Sequence, residues 1–244
     1  MAVYKVDAIV IRTREYGESD RLITLFSREK GKLEAVAKGV RKPKSSQRAG
    51  TQLFTYADFL LHRGKNLDTV NQVQARESFV HLWNDLDRTI AASCMAELLD
   101  LSTAREQPEP ELFVLTLSFL FWLKDWDPYL AQAAYALRLM LVQGYLPVLD
   151  HCQECGKTLL SEQSFLSAEA GGLLCSVCKN NKIVKSLTPG SLALMKQLVG
   201  AKADILARLR WNQKMKEEIL DSICYFCEQK LERKLKAWRQ GSKL

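Results

Sequence analysis

A chain of 244 residues, 47% apolar and 26% charged, has enough material for a sizeable core and two or three structural units. Its composition excludes a disordered or low-complexity protein. The beginning Met-Ala-Val-Tyr-Lys lacks a secretory apolar core, and the most apolar run, Leu112 to Leu123, falls far short of the roughly 20 residues a membrane helix needs, so a cytoplasmic protein without membrane contact is expected.

The first 80 residues read as strands. Val6 to Ile11 and Leu22 to Phe26 are apolar and rich in β-formers, and Leu33 to Ala37 follows Glu29-Lys30-Gly31, where Gly31 can supply a positive φ for a hairpin turn. Phe54 to His62 and Thr69 to Glu77 complete five strands, with Arg63-Gly64-Lys65-Asn66 as a turn and a longer connection between the third and the fourth. This order fits a small five-stranded barrel of the oligonucleotide-binding kind, although the pattern alone permits any small barrel or sandwich.

From Val80 the apolar period becomes helical, through Leu82, Leu86, Ile90, Met95, Leu98 and Leu99. Pro108 and Pro110 break the chain, and Glu111 to Lys124 is apolar enough to predict a helix buried on most sides. Asp127-Pro128 and Thr188-Pro189 are helix starts, each with a capping side chain and proline in the first turn. The first of these helices runs to Gly144, and a last helix is predicted over residues 213–238.

Between helices lies an insertion, residues 151–182, with little apolar mass. It reads Cys152-Gln-Glu-Cys155, 19 residues, then Cys175-Ser-Val-Cys178. Two CxxC units at this spacing predict a structural Zn2+ site, because each tight turn aims two thiolates at one ion. Four thiolates leave no open position for substrate, so the ion is expected to hold the fold together and not to catalyse. Glu154, Glu162 and Glu169 offset Lys157 and Lys179, which favours scaffolding over nucleic-acid contact. His151 is read as a neighbouring loop residue. Cys224-Tyr-Phe-Cys227 falls on a helical apolar pattern and is read, like Cys94, as core.

The net charge of +7 is distributed as +6 over residues 1–81, −3 over 82–209 and +4 over 210–244, which points to a polyanion partner. Arg28, Lys30, Lys32, Lys38, Arg41, Lys42, Lys44 and Arg48 fall within one short stretch against Glu29 and Glu34. Lys30, Lys32, Lys38, Arg41, Lys42, Lys44 and Arg48 are the candidate DNA contacts, since flexible basic side chains neutralise phosphates without reading sequence. A second run, Lys230, Arg233, Lys234, Lys236, Arg239 and Lys243, surrounds Trp238, which either stacks on a base or anchors the helix.

Residues Ala8 to Asp20 and Gly31 to Gly39, followed by Arg41, Lys42, Pro43 and Ser45, resemble the opening of the bacterial RecO family. The helix Tyr135 to Gly144, continuing as Gly144-Tyr-Leu-Pro147 into Cys152-Gln-Glu-Cys-Gly156, is similar to it as well. The resemblance spans most of the chain. It implies an α+β protein: an oligonucleotide-binding barrel at 1–80, a helical domain at 81–244 and a four-cysteine zinc-finger insertion at 151–182. It also implies a non-enzymatic recombination mediator in the cytoplasm, associated with the bacterial nucleoid. Such a protein binds single- and double-stranded DNA, anneals strands, and works with RecR, and indirectly RecF, to load RecA onto strands coated by single-strand binding protein (SSB). It implies binding of the acidic SSB C-terminal tail beside the helix Tyr129 to Tyr145, with Arg138 as the candidate carboxylate partner. The chain has no Walker loop, nucleophile elbow or HExxH, as a non-enzyme requires. The rival readings are a zinc-ribbon RNA- or DNA-binding regulatory factor, a zinc-dependent DNA-processing enzyme and a scaffold that binds only proteins.

Overall fold

The computed structural model describes residues 2–159 and 162–241; Lys243, the end of the second basic run, lies outside them. The chain forms two compact units, Met1–Lys124 and Asp125–Leu244. The element type changes near residue 80, whereas the units divide only after Lys124, so three helices belong to the same unit as the strands.

In the first unit, β1 (Val3–Tyr16), β2 (Asp20–Ser27), β3 (Gly31–Ala37), β4 (Tyr56–His62) and β5 (Asp68–Glu77) close a barrel in the order β1-β2-β3-β5-β4. All pairs are antiparallel except β3 with β5, which meet in parallel at Ala35↔Asp68 and Val36↔Thr69. This is an oligonucleotide-binding type of barrel, as the strand spacing suggested.

Alternate residues of each strand fill the interior: Val6, Ala8 and Val10 of β1, Ile23 and Leu25 of β2, Ala35 and Ala37 of β3, Phe59 of β4, and Val70 of β5. Four alanines (Ala8, Ala35, Ala37, Ala57) leave room for one large ring, Phe59. Truncating Phe59 to Ala would cost about 3–5 kcal/mol. β1 is apolar on both faces because Ile9 and Ile11 point away from the interior and are still buried, on a strand that α2 packs against.

Gly31 sits at φ +64° in the β2–β3 turn, and a Cβ there would lie 1.9 Å from the Gln107 carbonyl oxygen, so glycine is required by conformation and by space.

The helices of this unit are α1 (Val80–Trp83), α2 (Leu86–Ser102) and α3 (Pro110–Trp122). Asp85 caps α2 by accepting from the Arg88 N–H. α3 is not buried on most sides: Leu112, Phe113, Thr116, Phe119 and Leu120 are buried, while Val114 and Phe121 are half exposed. Its high apolar content exceeds what one buried face uses. Phe113 of α3 stacks on Phe26 of β2 at 6.5 Å and meets Tyr56 edge-on at 6.0 Å.

In the second unit, α4 (Pro128–Val142) is capped by Asp127 and packs on α5 (Pro189–Gly200) and α7 (Gln213–Leu231). Ala131, Ala133, Ala134 and Ala136 are fully buried, and their small side chains permit this close packing. α5 is capped by Thr188 and α7 by Asn212. A sheet ordered β7-β6-β8, from β6 (Ser164–Ser167), β7 (Gly172–Leu174) and β8 (Lys185–Leu187), lies within and just after the insertion. Between α5 and α7 runs the short α6 (Ala203–Leu206).

The last predicted helix is two. α7 ends at Leu231, where Glu232 adopts φ +51° and the Arg233 N–H donates to the Glu228 carbonyl, and α8 (Lys236–Gly241) follows. The usual glycine stop signal is absent, so the break was not visible in sequence. Among the described residues no helix is long and apolar enough to cross a membrane.

Candidate nucleic-acid interface and metal centre

The two CxxC units come together. The Sγ atoms of Cys152, Cys155, Cys175 and Cys178 all lie within 4.8 Å of one another, with Cys155 and Cys175 at 3.9 Å. A tetrahedral ion about 2.3 Å from four sulfurs needs edges of roughly 3.8 Å, so this donor set fits a closed thiolate site. Among the described residues it is the only cluster of this kind.

The backbone builds the site from two turns. The Cys152 N–H donates to the Lys157 carbonyl at 2.8 Å, the Gly156 N–H to the Cys152 carbonyl at 3.0 Å, and the Lys179 N–H to the Cys175 carbonyl at 3.1 Å. Gly172, at the start of β7, lets the chain at Val148 come close: a Cβ there would meet the Val148 carbonyl oxygen at 2.6 Å. Burial opposes ionisation of Cys152, but N–H groups of Cys155 and Cys175 and the thiols of Cys155 and Cys178 outweigh it and hold the pKa at about 7.

The three lysines of this insertion are engaged within it. Lys157 pairs with Glu162 at 2.9 Å, Lys182 with Glu154, and Lys179 sits over the Phe165 ring at 3.9 Å. His151 is exposed beside Gln153 and outside the cluster. Cys224 and Cys227 are buried in α7, and burial pushes the Cys224 thiol up to about 12, which suits core packing rather than ligation.

The basic segment spans the β2–β3 turn, β3 and the β3–β4 loop. Lys30, Lys38, Lys42, Lys44 and Arg48 are exposed. Lys32 and Arg41 are engaged within the unit: Lys32 Nζ lies 3.1 Å from Asp100 Oδ1, and Arg41 donates to the Gly17 and Glu18 carbonyls while pairing with Glu15 at 2.9 Å. Arg28 lies over the Phe113 ring at 5.2 Å.

Sequence reasoning passed over Arg21, a single charge at the start of a strand. It donates to the Thr51 carbonyl at 3.0 Å and to Gln52 Oε1 at 3.3 Å. Burial, and then the neighbouring guanidiniums of Arg48 and Arg41, hold its pKa below the ordinary arginine value, against Glu15. Arg41 pairs with Glu15, while Arg21 and Arg48 add positive charge beside the loop.

In the second basic run, Trp238 is buried, so it anchors α8. Arg239 donates to both carboxylate oxygens of the buried Glu228, and Lys234 lies 3.6 Å away. Arg138 is half-buried; its Nε donates to the Leu198 carbonyl at 3.1 Å and its Nη2 to that of Ala201, closing the C-terminus of α5.

Comparison with known proteins agrees with this architecture. The model for "Recombination protein O N terminal" matches residues 1–79, and that for "Recombination protein O C terminal" matches residues 84–239. A relative from Desulfitobacterium hafniense (strain Y51), "DNA repair protein RecO", is 57% identical over 248 residues, covering 100% of this chain and 91% of its own. Proteins of the same name from Heliobacterium modesticaldum and Pelotomaculum thermopropionicum are 41% and 36% identical, covering 88% and 98% of this chain and 80% and 93% of their own. The barrel, the helical unit with its four-cysteine cluster and these matches agree: this chain belongs to the RecO family of DNA repair proteins.

Proposed function

We propose that this protein is a DNA-binding recombination mediator that neutralises and anneals DNA strands without making or breaking covalent bonds. The observation that carries the reading is the exposed basic loop after β3, with Lys38, Lys42, Lys44 and Arg48, set on a closed barrel beside Arg21 and Arg41. Annealing requires the charge of two strands to be screened at once, and phosphate contacts of this kind do so without sequence preference. Zn2+ is the ion that four clustered thiolates favour, and in this reading it holds the insertion in shape.

The family reading extends to partners: RecR, the acidic tail of SSB and, through them, RecA and RecF. Arg138, beside the C-terminal carbonyls of α5, is the residue proposed to meet the SSB-tail carboxylate. Unchanged tail-peptide affinity in Arg138→Ala would remove that role.

The test is binding of a fluorescent single strand across a salt series, followed by an annealing assay. Affinity that falls steeply with salt, faster annealing and intact strands are expected. Failure to bind at low salt would overturn the reading, and a marked preference for RNA or one sequence would favour a zinc-ribbon regulatory factor instead.

A further inference from the structure

The barrel carries a cleft of about 770 Å³ on the outer face of β4 and β5, apart from the basic β2–β3 hairpin. Amide side chains dominate its lining: Gln47, Asn71, Gln72 and Gln74 surround Leu60, with Lys5 at one side and Asp58 beside Gln74. The register places Lys5, Leu60 and Gln72 in one row across β1, β4 and β5, and Asp58 beside Gln74 in the next. Arg76 binds Asp58 through Nε at 2.7 Å and Nη2 at 2.6 Å, so the one carboxylate lining the cleft is already neutralised. Ser46 and Gln47 of the β3–β4 loop also line the cleft, lying between Lys44 and Arg48 in the chain.

We infer that this cleft takes the unstacked bases of a single-stranded nucleic acid, with amide side chains on the base edges and Lys5, Lys44 and Arg48 along the phosphates; the inference rests on the DNA-binding reading above. Gln and Asn each present a donor and an acceptor side by side, the pairing that base edges offer. Gln72 and Gln74, two residues apart on a strand, are spaced by about 6.8 Å. That is twice the roughly 3.4 Å separating stacked nucleotides, so the row suits an extended strand and not a duplex. A peptide adding as a strand is disfavoured, because the Asn71 carbonyl already accepts from Gln47 Nε2 at 2.9 Å and the turn Ala49–Thr51 packs along β5.

The experiment compares two labelled single strands of equal length and phosphate number, one with mixed bases and one abasic, using the full-length protein and its Gln72→Ala/Gln74→Ala variant. Both glutamines are exposed, so the fold should be retained, and an unshifted melting curve checks this. The unmodified protein is expected to bind the base-bearing strand roughly tenfold more tightly. The variant should bind both strands alike, at the abasic affinity. A preference that survives in the variant overturns the inference. So does an unmodified protein that binds both strands equally, which would leave salt-dependent DNA binding standing. Binding of neither strand at low salt overturns both readings.

Discussion

Lys32 Nζ lies 3.1 Å from Asp100 Oδ1 and also donates to the Asp100 backbone carbonyl, with both side chains largely buried. A lysine at the centre of a basic stretch is thereby turned onto α2. Arg12 reaches the other Asp100 oxygen at 3.4 Å. Lys32→Ala is therefore expected to destabilise the protein by about 1–3 kcal/mol, because it leaves a buried carboxylate short of one partner. DNA affinity should change little. Denaturant unfolding and an oligonucleotide titration on the same variant check both; a large affinity loss at unchanged stability would refute this role.

Lys42 and Lys44 present the opposite case, exposed in the β3–β4 loop. In Lys42→Ala/Lys44→Ala the dependence of log affinity on log salt should become shallower by about 1.4 for single strands, at 0.7 for each phosphate that is no longer neutralised. Unfolding should not shift. Fluorescence anisotropy across a salt series measures the slope, and a slope equal to that of the unmodified protein would show that these lysines touch only water.

The four-thiolate cluster predicts one bound metal ion per chain. Cys178→Ser should lower metal content and open the insertion to trypsin at Lys157, Lys179 or Lys182, because the segment has too little apolar mass to hold itself. Metal analysis and limited proteolysis report the two effects. Equal cleavage rates with and without the substitution would mean that β6 to β8 suffice.

Glu228 gives a pH dependence. Hydrogen bonds from Arg239, opposed by burial and aided by the Leu235 N–H and the charges of Arg239 and Lys234, hold its carboxyl below the ordinary glutamate value. A depressed native value stabilises the fold fully above the unfolded-state value of about 4.3, and that stabilisation drains as pH falls below it. Glu228→Gln should therefore cost about 1–3 kcal/mol at pH 7 and progressively less on acidification towards pH 3. Melting curves at several pH values test this; a constant difference from pH 7 to pH 3 would exclude the ionised carboxylate as the source.

Features settled by a few consecutive residues were legible in the sequence. The five strands follow from alternation and β-propensity, the β2–β3 turn from Gly31, the starts of α4 and α5 from Asp127-Pro128 and Thr188-Pro189, and the metal cluster from two CxxC units. In each, the decisive hydrogen bond or turn closes within a handful of positions. What only the tertiary structure decided depends on partners far along the chain. Lys32 is turned inward by Asp100, 68 residues away, and Arg21 is held by Thr51, 30 residues away. The sheet β7-β6-β8 forms where Gly172 can approach Val148, and α7 stops without a glycine at a bend where Glu228 gathers Leu235 and Arg239. Charge and periodicity give each residue's chemistry; which of these side chains face water and which face one another is fixed by contacts that exist only once the chain has closed on itself.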